Sequence, residues 1–279
     1  MRRHRRRAAL AAVVGLAAAL ALPGAAGRAQ TAEVQGLAEL RVCADPANLP
    51  FSNEAREGFE NRVAEIVGRA LGLPVSYVFF PQTVGFVRNT IRARQCDVVM
   101  GTVAGDELLQ NTNPYYHTTY VAVFRRGEPA PPEDFADPAW RSLRIGVVAN
   151  TPPADPLVRA GLMPRVRPYA LNVDTRHEQP GRQMVRDVAS GAIDVGLVWG
   201  PIAGWEIKQG GHALEMRPIP SAPGWARMDY RITMGVRAQE PEFRRRINAA
   251  LRDHAAEIAA VLREYNVPLL DNQGRLVPP

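Results

Sequence analysis

Side chains able to hold or transform a small molecule are scattered thinly along this chain. Asp45 and Asn48 follow an apolar segment, Leu40 to Ala44. A carboxylate and an amide there could offer acceptors and donors to a solute, and Asp-Pro with a nearby Asn is equally the chemistry of a turn. Glu60 and Asn61 open an amphipathic segment, where a carboxylate complements the positive end of a helix; that capping role is the expected one for Glu60. Arg88 falls in the first turn of another short helical segment, where a cation opposes the dipole. Such an arginine suits an anion held at the helix end, and is also an ordinary solvated arginine. Thr151, before Pro152-Pro153, fits an anion cradle or a cap. Trp199, Trp205 and Trp225 could stack on a planar ligand or a partner. No nucleophile elbow, phosphate loop, dinucleotide fingerprint or Cys–His pair is present, so the chain reads as a binder rather than a catalyst.

Cys43 and Cys96 are the two thiols. Cys43 falls late in one predicted strand and Cys96 at the start of another. Were those strands parallel neighbours, the residues would lie at opposite ends, beyond the ~7 Å that a disulfide tolerates, so the layout argues against a bridge. The histidines beyond the first segment (His117, His177, His212, His254) are isolated, and no metal site or cofactor site is expected.

The elements that must position these groups alternate. Leu40 to Ala44 predicts a strand. Phe59, Val63, Ile66, Val67, Ala70 and Leu71 have helical spacing that ends at Gly72. Val75 to Phe80 predicts a strand, Phe86, Thr90 and Ile91 a helix, Asp97 to Met100 and Tyr120 to Phe124 further strands. After an acidic, Pro-rich connector, Gly127 to Pro138, the plan restarts. Strands are predicted at Leu143 to Val148, Val166 to Ala170 and Ile193 to Trp199. Helices fall at Pro156 to Ala160 and around Met184 to Ala189. Tyr230 to Arg237 predicts a returning strand, and Glu240 to Tyr265 the longest helix. Two α/β lobes joined by two crossing strands leave a cleft between them, where ligands gather.

Composition narrows the class. The chain has 279 residues, 46% hydrophobic and 22% charged, which excludes a disordered or fibrous protein. The formal charge of +6 suggests nucleic acid, but six arginines precede Gln30 and account for the whole excess, so the body carries no field to attract phosphate. Residues 1–29 read as a signal peptide: a cationic head, an apolar run from Ala8 to Leu22 and a small-residue tail. That run is shorter than the ~20 residues a membrane span needs. Export to the periplasm is the expectation.

Four segments in order carry a resemblance. These are Leu40 to Asn61 with its Gly58-Phe59-Glu60 entry, Cys96 to Gly101, Asn113-Pro114-Tyr115-Tyr116, and Ser190 to Val195. Together they resemble the type 2 periplasmic solute-binding proteins. Cys43 to Pro46, Gly85 to Thr90, Cys96-Asp97 and Val198 to Gly204 are similar to a narrower subgroup, the solute-binding-like proteins associated with quinoprotein dehydrogenases, which includes the J proteins of methanol-oxidation clusters.

The resemblance implies a two-lobed α/β fold, each lobe a mostly parallel sheet flanked by helices, with two crossover strands as a hinge. Lobe 1 would comprise residues 33–122 and 234–279, and lobe 2 residues 123–233. It implies a non-catalytic accessory whose partners are a pyrroloquinoline-quinone alcohol dehydrogenase and its cytochrome c. An ABC-transporter receptor for a small solute and a periplasmic dehydratase of the same fold are the alternatives. Two grips of the amino-acid binders are missing. Thr102 to Glu107 lacks the arginine that holds a carboxylate, and Trp199-Gly200-Pro201 stands where an aspartate takes the ammonium. Free amino acids should therefore bind weakly. The expected cleft residues are Asp45, Asn48, Phe51, Gln82, Phe86, Arg88, Thr102, Tyr115, Thr151 and Trp199.

Overall fold

The structure, a computed structural model, describes residues 36–105 and 108–278; the expected signal segment lies outside them. Strand β1 (Leu40–Ala44) leads into a small hairpin, β2 (Ala47–Asn48) and β3 (Ser52–Asn53), and then helix α1 (Phe59–Leu71). The apolar stripe predicted for α1 is buried at Phe59, Val63, Ile66, Val67 and Leu71, while Ala70 is exposed. The Asn61 side chain accepts hydrogen bonds from the Gly58 and Asn53 amides, fixing the helix entry to the hairpin. Strand β4 (Val75–Phe79), the one-turn helix α2 (Phe86–Asn89), β5 (Val98–Val103) and β6 (Gln110–Asn111) follow. The helix expected to reach Ile91 stops at Asn89.

Strand β7 (Tyr116–Arg125) is the crossover. The second half contains β8 (Ile145–Val148), α3 (Ala154–Arg159), β9 (Val166–Tyr169), α4 (Pro180–Ala189), β10 (Val195–Trp199), α5 (Gly200–Gly210) and β11 (Leu214–Pro218). Strand β12 (Asp229–Val236) returns, and α6 (Pro241–Asp253) and α7 (Ala255–Glu264) close the chain. The single long helix expected over this last stretch is broken at His254, whose backbone (φ −110°, ψ 18°) leaves helical geometry. The bend lets both segments pack on α1.

The strands join in the order β4-β1-β5-β12-β7-β10-β8-β9, with β6 beside β12 and β11 beside β7. β1 is parallel to β4 and β5, and β8 to β9 and β10; the two crossing strands run antiparallel to their neighbours. The N-terminal half of β7 pairs with β12 (Tyr116↔Ile232, Thr118↔Tyr230) and its C-terminal half with β10 (Tyr120↔Trp199, Phe124↔Val195). One strand thus belongs to both lobes, which is how the twin halves share a hinge. Separate apolar cores build each lobe, around Phe59, Val63 and Ile247 in one and around Trp140, Leu157 and Leu197 in the other.

Each lobe also repeats one polar device. Asp97, just before β5, is buried and accepts from Arg41 Nε at 2.9 Å and Nη2 at 2.7 Å, and from Arg237 Nη2 at 3.0 Å. Asp194, just before β10, accepts from Arg144 Nε at 3.0 Å and Nη2 at 2.6 Å, and from Arg125 Nη2 at 3.3 Å. In both, an aspartate at the start of an inner strand fastens an arginine from the neighbouring parallel strand or its lead-in.

Cys43 and Cys96 are joined in a disulfide with Cα atoms 5.5 Å apart, contrary to the sequence reading. The strands are indeed parallel, with Cys43 opposite Val99. Cys96, however, precedes β5 rather than lying in it. It sits buried with Phe86, Ile91, Cys43 and Val99 in a cluster on one face of the sheet, so the pair meets across that face and not along the strands.

Candidate functional site

A cavity of about 550 Å³ opens between the lobes. It is walled by the loop after β1, the start of α1 and the end of β5 on one side. The loop after β9, the start of α4 and the end of β10 form the other, with β7 and β12 between them. Five of the expected residues line it: Asn48, Phe51, Gln82, Thr151 and Trp199. Asn48 Nδ2 donates to Gln82 Oε1 at 3.2 Å, and Thr151 Oγ1 donates to the Val148 carbonyl at 2.6 Å. The threonine therefore shapes its own turn and does not cap α3.

The other five lie elsewhere, each for a visible reason. Asp45 is fully buried beneath the cavity wall, accepting from the amides of Ala47 (2.9 Å) and Gln82 (2.7 Å) and from Thr175 Oγ1 (2.7 Å). Phe86 is core beside the disulfide. Arg88 is exposed and does not line the cavity; α2, the element that carries it, is a single turn. Thr102 turns away from the cleft; its hydroxyl meets that of Thr233 at 2.8 Å and staples β5 to β12. Tyr115 packs edge-on against Tyr116, ring centroids 4.9 Å apart, and it is Tyr116 that reaches the cavity.

Three aromatic rings form the hinge-side wall. Tyr120 and Trp199 are register partners with centroids 4.9 Å apart, and Tyr230 lies 6.0 Å from Trp199 and 6.5 Å from Tyr120. Trp199 is held where β10 turns into α5. The next residue, Gly200, passes so close to the Thr119 carbonyl that a Cβ would lie 2.5 Å from its oxygen, which only glycine permits. Tyr120 and Tyr230 were read from sequence only as parts of crossing strands. Which of their faces meets the cleft depends on the twist and pairing of β7 and β12, which composition does not encode.

Glu60 is the other residue the sequence reading misplaced. Its first-turn position does favour a carboxylate, but the side chain is only 4% exposed, lines the cavity and makes no hydrogen bond or ion pair with any described residue. Gly101, in the left-handed region (φ +69°), passes against it; a Cβ there would stand 2.2 Å from Glu60 Oε1. Burial, reinforced by the negative charge of Asp45, pushes the Glu60 carboxyl up to about 8. The Gly-Phe-acid entry to α1 was the available signal, and only burial separates a cap from a cavity group.

Cations are scarce in the cleft. Among the described residues the cavity wall carries one guanidinium, Arg182, and it is already engaged. Its Nε donates to Glu206 Oε2 at 2.7 Å and its Nη1 to Gln179 Oε1 at 2.5 Å. No group of His, Cys, Asp and Glu among the described residues is arranged to hold a metal ion. No helix among them is long and apolar enough to cross a membrane. The site can enclose a small, largely apolar solute and offer it two carboxyls (Glu60 and Glu178), several amides and a set of rings.

Comparison with known proteins places this geometry. Residues 40–266 match the family described as bacterial extracellular solute-binding proteins, family 3. Protein MoxJ of Methylorubrum extorquens is 29% identical over 95% of this chain and 97% of its own. The structure resembles that of periplasmic binding protein XoxJ from Methylobacterium extorquens AM1, 40% identical, with a TM-score of 0.71 over 84% of this chain and all (100%) of that one. It also resembles MxaJ from Methlophaga aminisulfidivorans MPT, 26% identical, with a TM-score of 0.73 over 83% of this chain and 100% of the other.

Proposed function

The chain belongs to the bacterial extracellular solute-binding proteins, family 3, and from that premise we propose that it is a periplasmic, non-catalytic accessory of a quinoprotein alcohol dehydrogenase. The likeness to the J proteins over nearly the whole chain supports the assignment to this subgroup. The observation that carries the departure from amino-acid transport is the state of the cleft. The arginine facing it is tied to Glu206 and Gln179, and Trp199 occupies the strand end where an amino-acid binder keeps an aspartate. A charge-assisted hydrogen bond contributes about 1.5–3 kcal/mol, so the missing carboxylate grip weakens a free amino acid by roughly 10- to 150-fold.

The lobes hinge on β7 and β12. A ligand, or a projecting part of the dehydrogenase, that contacts both lobes favours the closed form to the extent that it binds that form better. Family membership also favours a second reading, the receptor of a transporter for a small solute other than an amino acid.

Capture of the tagged protein from the periplasm of alcohol-grown cells separates the two. Recovery of the quinoprotein dehydrogenase, with or without its cytochrome c, supports the accessory role. Recovery of no dehydrogenase in low salt, together with capture by a permease complex, would overturn it.

A further inference from the structure

What the cleft accepts is legible from its two ends, on the premise that it is a binding site. At the lobe 1 end stands Glu60, nine-tenths and more buried, facing the cavity with no partner among the described residues and with Asp45 behind it. An unpaired carboxylate in such a place is costly until a cation joins it. At the hinge end stand Tyr120, Trp199 and Tyr230, a ring-lined wall with apolar Leu197 and Ile202 beside it. Tyr116, next to Glu60, and Tyr120 are four residues apart on β7, so the two ends are separated by about 13 Å at the usual rise of a strand. An anion is disfavoured here, since Glu178 adds a second carboxylate to the wall and Arg182, which shares Glu206 with Arg186, already donates to Glu206 and Gln179.

We infer that the cleft takes an amphipathic organic amine that lacks a carboxylate. Its ammonium sits on Glu60, and its apolar body runs along Tyr116 to the rings of Tyr120, Trp199 and Tyr230. The ammonium supplies the charge-assisted hydrogen bonds that Glu60 lacks. The rings supply apolar contact and, through their negative faces, tolerance of nearby positive charge.

A matched series tests this: 4-phenylbutylammonium, 4-phenylbutan-1-ol and 4-phenylbutanoate, titrated calorimetrically and by tryptophan fluorescence at pH 8.5. The amine should bind most tightly and the carboxylate least. Glu60→Gln should weaken the amine by about 10- to 150-fold while changing the alcohol by no more than about twofold. Trp199→Ala should weaken amine and alcohol alike. In the unaltered protein, amine affinity should fall about tenfold for each pH unit below 8, as Glu60 takes a proton, a readout that stands even if the variant misfolds. The titratable groups facing Glu60 are Asp45, Tyr115 and Tyr116, with Glu178 and Arg182 elsewhere on the cavity wall. An alcohol that binds as tightly as the amine, or a Glu60→Gln protein with undiminished amine affinity, overturns the amine assignment and leaves a cleft for uncharged solutes. Failure of all three to bind at millimolar concentration overturns it as well. Capture of the dehydrogenase by Glu60→Gln reports separately on the accessory role.

Discussion

Thr175 Oγ1 donates a 2.7 Å hydrogen bond to Oδ1 of Asp45, joining the loop after β9 in lobe 2 to the loop after β1 in lobe 1. Beside it, Gln179 Nε2 donates to the Ala47 carbonyl at 2.7 Å. The cavity is bounded by the hinge strands and by this fastening, so the chain holds its own lobes together across the cleft.

That fastening should set the balance between closed and open forms. Thr175→Val removes one donor to a buried carboxylate, worth about 1.5–3 kcal/mol, and should shift the closed-to-open ratio by roughly 10- to 150-fold. Small-angle scattering should show a larger radius of gyration for the variant. Identical scattering curves would mean that the latch does not hold the lobes.

Glu60 should make stability fall as pH rises from 4.5 to about 8. Its folded pKa of about 8 lies above the ordinary value of 4.5, so the folded state keeps a proton that the unfolded chain has given up. The contribution is fully present below 4.5 and is lost as pH rises to 8, with a slope of at most about 1.4 kcal/mol per unit. Glu60→Gln, which mimics the protonated form, should abolish that slope and be the more stable protein at pH 8. Denaturant titrations from pH 5 to 9 measure it; parallel curves for the two proteins would rule out the assignment.

The legible part of the fold was the part governed by local periodicity. Phe59, Val63, Ile66, Val67 and Leu71 mark α1 because each turn places them on one buried face, and Gly72 ends it. Helix α5 escaped notice because Gly200, Gly204 and Gly210 dilute its pattern; it forms through packing, with Gly204 against the Asn266 carbonyl. Of the site, the loop residues Asn48, Gln82 and Thr151 and the strand end Trp199 could be found, since ligands gather where strands end. Glu60, Tyr120 and Tyr230 could not, because a helix-first-turn acid and a strand tyrosine read the same whether they face a cleft, a core or solvent. The Cys43–Cys96 bridge was hidden because a linear sequence does not show that Cys96 lies over the sheet face ahead of its strand.

Asp97 should matter more than an ordinary surface acid. Burial alone would raise its carboxyl, but hydrogen bonds from Arg41 and Arg237 outweigh that and hold it below the usual range. Asp97→Asn removes the anion that Arg41 and Arg237 share, leaving Arg237, 11% exposed, with Glu240 alone, and should cost about 1.5–3 kcal/mol at neutral pH. Because the folded pKa is depressed, the difference from the unaltered protein should shrink as pH drops below 3.8. Chemical denaturation at pH 7 and pH 3 checks both; an equal gap at the two values contradicts the ion-pair explanation.

The disulfide closes a loop with a sequence separation of 53. Tying that loop in the unfolded chain stabilises the fold by about 4 kcal/mol in the chain-entropy account. The paired Cys43→Ala and Cys96→Ala variant should therefore melt several degrees lower, and reductant should lower the melting temperature of the unaltered protein but not of the variant. Mass spectrometry showing free thiols in protein purified without reductant would contradict the pairing.

The accessory role is tested most directly by measuring association of the purified chain with the purified quinoprotein alcohol dehydrogenase of the same organism, by biolayer interferometry in low and moderate salt. The account predicts saturable binding at micromolar concentration or tighter. No association at 100-fold higher concentration, with a tight complex formed instead with a membrane permease, would contradict it.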